Sequence, residues 1–183
     1  MSKVFLGGSR RISRLPPKVQ ERIDNIMLKA LPIVVGDANG ADKAIQKYLF
    51  EKKYENVEVF CSDGACRNNV GGWRVRNVPA GKVRRDVQFY SIKDLAMASE
   101  SDVGLMLWDG KSIGTLANVL RLIRHGKKVV VYCAAEDRFR DLRNERDWDH
   151  FIEECGFDLR RRVEERAREL SPVGETRQST LFG

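Results

Sequence analysis

Three short segments of this chain carry the residue types from which a phosphate site is built. They are Gly7-Gly8-Ser9-Arg10-Arg11, Gly36-Asp37-Ala38-Asn39-Gly40-Ala41-Asp42 and Asp109-Gly110-Lys111-Ser112-Ile113-Gly114-Thr115. Glycines let a backbone approach a ligand closely and adopt positive φ, and the N–H groups at a following helix start attract an anion. Ser9, Ser112 and Thr115 add hydroxyl donors, while Arg10, Arg11, Lys111 and the Arg84-Arg85 pair bring charge to phosphate oxygens. Turns between strand and helix are often glycine-rich for geometry alone, so the weight rests on three of them converging at one edge.

The second segment holds three polar residues with competing uses. Asp37 and Asn39 suit the cap of the helix that follows, and equally suit a ligand. Asp42, one turn into that helix, faces the same mouth and is placed to bind a ribose hydroxyl or to act as an acid or base. Farther along, Arg85 offers a phosphate contact with Asp86 orienting it, against the plainer reading of a solvated helix start.

Positioning these segments requires elements on either side of each. Short apolar runs alternate with stretches of helical periodicity: strands at KVFLGG, PIVVGD, NVEVFCS, DVGLMLW and KKVVVYC, and helices at PPKVQERIDNIMLKAL, GADKAIQKYLFEKK, VRRDVQFYSIKDLAMASE and GTLANVLRLIRHG. The alternation predicts an α/β fold, a Rossmann-like doubly wound and mostly parallel sheet of about five or more strands. Ligands of such sheets bind beyond the carboxyl ends of the strands, near the point where strand order reverses, and all three glycine segments fall there. Residues 63–82, rich in glycine and polar side chains, read as irregular, with Arg67, Arg74, Arg76, Lys82 and Arg84 around Trp73 as phosphate contacts plus one stacking surface for single-stranded DNA or a nucleobase. The expected organisation is a sheet domain over residues 1–135, a helical extension over 136–170 with an apolar stripe of Trp148, Phe151 and Ile152, and a flexible tail over 171–183.

Composition narrows the partners. The net charge of +7 is uneven: residues 1–135 carry 23 basic against 13 acidic side chains, whereas from Glu136 onward 10 arginines face 13 acidic residues. A basic sheet domain suits nucleotides or nucleic acid, and also suits a merely soluble surface. No apolar run reaches a membrane-spanning length, and the N-terminus lacks a signal-peptide layout, so a cytoplasmic location without membrane contact is expected. The four cysteines form no CxxC pair and have no histidine at zinc-finger spacing, so no metal site is expected. Free thiols are favoured over a Cys61–Cys66 disulfide.

Taken in order, Gly8-Ser9-Arg10, Gly36 to Asp42, Arg84-Arg85-Asp86 and Gly114-Thr115 resemble the SLOG superfamily, the Rossmann-like group that contains the DNA-processing protein DprA (Smf) and the LOG phosphoribohydrolases. The resemblance spans Val4 to Tyr132. It implies a parallel sheet of five or more strands and a nucleotide-derived ligand at the loops just named, bound without a separate cofactor. The implied ligand-binding set is Gly8, Ser9, Arg10, Gly36, Asp37, Asn39, Gly40, Asp42, Arg85, Asp86, Asp109, Lys111, Ser112, Gly114, Thr115 and Asn118. Hydrolase members show a pattern similar to PGGxGTxxE, whose glutamate assists glycosidic cleavage. Aligned on Gly114-Thr115, this chain has Ala117 and Asn118 where that acid is expected, which argues for holding a ligand over cutting it. Asp42, Glu100 and Asp109 remain as substitute carboxylates.

The C-terminal RQSTLFG is similar to the Gln-x-x-Leu-Phe peptide that binds bacterial sliding clamps, with Gln178 for hydrogen bonding and Leu181 and Phe182 for an apolar pocket. The sequence therefore supports three functions: binding or sensing of a phosphorylated nucleotide, N-glycosidic cleavage of one, and a clamp-associated role in DNA processing. The corresponding partners are a nucleotide, a sliding clamp and single-stranded DNA, with a second copy of the chain as a further candidate.

Overall fold

The computed structural model describes residues 1–64, 66–79 and 87–168. The chain runs β1 (Val4–Gly8), α1 (Pro17–Leu28), β2 (Ile33–Gly36), α2 (Ala41–Glu51), β3 (Val57–Ser62), β4 (Arg74–Val78), α3 (Val87–Glu100), β5 (Val103–Trp108), α4 (Ile113–Arg124), β6 (Lys128–Cys133), β7 (Arg138–Leu142), α5 (Glu145–Cys155) and α6 (Phe157–Arg168). Seven strands form one sheet in the order β4-β3-β2-β1-β5-β6-β7, parallel throughout except for the antiparallel β6–β7 pair. This is the expected Rossmann-like α/β arrangement. Strand order grows from β1 toward β4 and then restarts at β5 on the other side of β1. The switch point therefore lies between β1 and β5.

Two apolar clusters sandwich the sheet. Under α1 and α2, Val19, Ile23, Ile45 and Leu49 pack on Leu6, Val35, Val59 and Leu107. On the other face α3 to α6 bring Met97, Leu116, Leu120, Trp148, Phe151 and Val163 onto Phe5, Met106 and Val131. Central strands are buried on both faces, which is why they read as continuous apolar runs. Among the described residues no helix is long and apolar enough to cross a membrane.

The structure corrects four readings of the sequence. Residues 74–78, expected to be irregular, form β4; an edge strand has one face and one side in water, so its run of arginine and asparagine is tolerated. Residues 138–142, expected to be helical, form β7, whose alternation of Phe139 with charged neighbours is a strand period embedded in a charged segment. Trp73 is no stacking platform: it is buried, its indole N–H donates to the Tyr54 carbonyl at 3.0 Å, and it packs with the α2 cluster. Cys61 and Cys66 are joined as a disulfide, their Cα atoms 5.1 Å apart because the chain turns back just after β3. Cys133 and Cys155 are free thiols.

Candidate functional site

At the switch point the carboxyl ends of β1 and β5 open into a cavity of about 320 Å³. The first loop brings Gly8, Ser9, Arg10 and Arg11, and the loop after β5 brings Asp109, Lys111, Ser112, Gly114 and Thr115. Asp42 enters from α2, Asn118 from the second turn of α4, and Arg67 from the segment after β3. Among the described residues, six cationic side chains, Arg10, Arg11, Arg67, Lys93, Lys111 and Arg166, line it against three carboxylates, Asp42, Asp94 and Asp109.

The β5–α4 loop is braced from within. The Asp109 carboxylate accepts the N–H groups of Lys111 (3.0 Å) and Ser112 (2.7 Å) and the Ser9 hydroxyl. Partial burial would raise its pKa, but these donors outweigh burial and hold it below the usual carboxylate range, so it stays ionised. Ser112 caps α4, its hydroxyl accepting from the Thr115 N–H at 3.3 Å. The N–H groups of Ile113 and Gly114 have no protein acceptor among the described residues, and a Cβ on Gly114 would meet only open space. Two donors at the positive end of α4 are thus available to a ligand.

The β2–α2 loop is built differently from its expected helix cap. Gly40 is the N-cap residue and no side chain caps α2. Asp37, buried at 2% exposure, instead accepts both the backbone N–H and the guanidinium of Arg67, and the Lys93 ammonium at 2.5 Å. Burial pushes its pKa up, yet the two cations prevail and hold it down at about 2. Asn39 accepts from the Asn68 amide. Gly36 and Gly40 face protein rather than ligand. A Cβ on Gly36 would collide with Asp42 and Lys93, and one on Gly40 with the Arg10 backbone.

Asp42 is the buried acid of the cavity. Burial pushes its carboxyl up to about 6, opposed by the Lys93 charge and reinforced by the charges of Asp94 and Asp37. Its Oδ2 accepts the Ala38 N–H at 3.1 Å. Of the other two substitute acids, Asp109 is committed to bracing its loop. Glu100 sits at the far end of α3, away from the cavity, paired with Lys3 and Arg76. Arg85 and Asp86, like Gln178, Leu181 and Phe182, lie outside the described residues.

Sequence reasoning missed Ser91, Lys93 and Asp94, which α3 delivers to the cavity. Their signal was a helix over a parallel sheet whose first turns bury Ser91 and Lys93, at 1% and 2% exposure, where apolar residues belong. Asn118 bridges Asp94 (3.2 Å) and the buried Arg121 (2.7 Å). Arg166 was likewise missed, because α6 lies outside the segment that carries the sequence resemblance.

Fold and site together define a Rossmann-like α/β protein with a cation-lined pocket at the topological switch point. Among solved structures, DNA processing protein A from Helicobacter pylori has this fold: TM-score 0.56 at 16% identity, covering 90% of this chain and 79% of that one. That protein is described as having a single-stranded DNA binding mode. No family model and no curated protein matches the chain.

Proposed function

We propose that the chain binds a phosphorylated nucleotide or nucleotide-derived ligand in the switch-point pocket. The observation that carries this reading is the start of α4, where the Gly114 N–H lies at a cavity in which, among the described residues, cations outnumber carboxylates two to one. Lys111, Arg10, Arg11 and Thr115 supply further donors to a phosphate. A panel of AMP, ADP-ribose and cyclic AMP tests it by thermal unfolding. A bound ligand at 100-fold its Kd stabilises by about 2.7 kcal/mol, a rise of roughly 5 °C or more for a chain this size. No shift with any member of the panel would count decisively against the reading.

A second reading, N-glycosidic cleavage, is favoured by Asp42, whose carboxyl keeps its proton up to about pH 6. Under it, Asp42 protonates the leaving base as the C1′–N bond breaks, Asp94 faces the positive charge on the ribose, and water adds at C1′ while the proton it releases returns to Asp42. Chromatography of AMP incubations should then show free adenine, with a rate that falls above about pH 6 and an Asp42→Asn variant slowed at least 100-fold. Intact AMP at high protein concentration would leave binding alone. The fold shared with a DNA processing protein lends support to single-stranded DNA as a partner, and the RQSTLFG segment to a sliding clamp.

A further inference from the structure

We infer that Asp42, Asp94 and Asn118 form a sugar subsite in the switch-point pocket, so that its ligand is a ribonucleotide and a 2′-deoxyribonucleotide is disfavoured. The inference rests on the nucleotide-binding reading and adds to it the identity of the sugar.

The pocket wall carries polar groups of two kinds. The Gly114 N–H, Lys111, Arg10 and Arg11 donate, which suits a phosphate; an ionised carboxylate only accepts, which repels a phosphate and suits a hydroxyl. Of the lining acids, Asp109 is taken up by its own loop. Asp42 is 8% exposed and its Oδ2 accepts the Ala38 N–H, while Oδ2 of the half-buried Asp94 accepts the Asn118 amide at 3.2 Å. Among the described residues nothing donates to the Oδ1 of either acid. The two lie close enough for the charge of Asp94 to oppose ionisation of Asp42, and such a like-charge pair is unfavourable for the fold alone. Hydroxyls donating into the pair offset that cost, and the 2′,3′-diol of ribose carries two donors on adjacent carbons.

Helix α4 sets the spacing between the two kinds of group. Gly114 stands in its first turn and Asn118 in its second, four residues on, so they share a face one turn, about 5–6 Å, apart. A 5′-phosphate and the ribose hydroxyls of one nucleotide are separated by about that step. The Asn118 amide is held in one sense, because its carbonyl oxygen accepts from the buried Arg121 at 2.7 Å and its nitrogen is thereby turned to Asp94. Asp94, steadied in this way on α3, presents its second oxygen to the sugar. A phosphate at the start of α4 therefore brings the ribose hydroxyls to Asp94 and Asp42.

Calorimetric titration of the full chain at pH 7 with AMP and ADP, each beside its 2′-deoxy form, tests this. The wild type is expected to bind the ribonucleotide about tenfold or more tightly than its deoxy form, the ratio set by one hydrogen bond to a charged group. Asp94→Ala should weaken the ribonucleotide and leave the deoxy form as tight or tighter, so that the ratio falls to within about threefold; a merely structural loss would weaken both alike. Should the alanine variant not fold, Asp94→Asn, which keeps the shape without the charge, is expected to narrow the ratio in the same direction. Glu100→Ala, at the far end of α3, should leave the ratio within about twofold of wild type. A wild type that binds both sugars within about twofold overturns the sugar subsite and leaves nucleotide binding standing, and an unchanged ratio in a folded Asp94 variant overturns the role of Asp94. Absence of wild-type binding to all four probes removes the inference together with mononucleotide binding.

Discussion

Two aspartates five residues apart are pushed in opposite directions by neighbours they share. Asp37 and Asp42 both lie against Lys93, but Asp37 also holds Arg67 through its side chain and backbone, whereas Asp42 meets the charges of Asp94 and Asp37. One is fixed as an anion that organises the wall; the other is a proton store inside it. Asp37→Asn takes from the Lys93 ammonium, at 3% side-chain exposure, the carboxylate that contacts it directly, leaving only the neighbouring charge of Asp42, and should cost about 3 kcal/mol in urea unfolding at pH 7. The pH dependence follows from the direction of the shift. Because the folded value, about 2, lies below the unfolded 3.8, the contribution is complete above about pH 4 and is lost as pH falls toward 2. The variant should lack that acid limb. A stability curve of equal acid slope in both proteins would show that the pair contributes nothing net. Asp42 and the cationic loops were legible in the sequence because acids and glycines cluster beside strand ends. The Asp37–Lys93 pairing was not, because 56 residues separate its partners and Lys93 resembles any solvated helix lysine.

At the scale of elements, the joint between the β1 and β2 loops depends on one residue without a side chain. Gly40 has φ +83° and lies against the Arg10 backbone, while the adjacent Ala41 N–H donates to the Ser9 carbonyl at 3.1 Å. Gly40→Ala should therefore cost about 3 kcal/mol or more, combining left-handed strain with the clash, and should weaken nucleotide binding by displacing Arg10. Denaturant titration together with calorimetry checks both; an alanine tolerated within about 0.5 kcal/mol would show that the two loops move independently. The glycines of this loop were expected to approach a ligand, and the space they leave is instead filled by the first loop, Asp42 and Lys93. Sequence reports that a position needs a missing Cβ. It does not report what occupies the room. The same limit explains β4 and β7, each a five-residue strand without the apolar run that marks a central one.

For the whole molecule, the five central strands and the four helices between them were readable in order from alternation, because both faces of the central sheet are covered and every central strand had to be apolar. The three-layer arrangement then dictates that loops far apart in sequence converge between β1 and β5. What alternation did not convey is that helices after residue 135 also reach that convergence. The segment from β7 onward extends the sheet and then returns through α5 and α6, placing Arg166 beside residues of α3. The local segments that resemble other Rossmann-like chains thus describe only part of the pocket wall.

The outer edge of the sheet bears on how copies of the chain meet. β4 presents Arg74, Val75 and Arg76 to solvent, with Glu58 of β3 answering both arginines from one position. Two such borders laid side by side would have to crowd the ion pairs that Glu58 and Glu100 make with these arginines while adding only a short row of backbone hydrogen bonds. Strand-on-strand growth of the sheet is therefore opposed at that border, which leaves β7 as the other edge and the helical faces for any contact between copies.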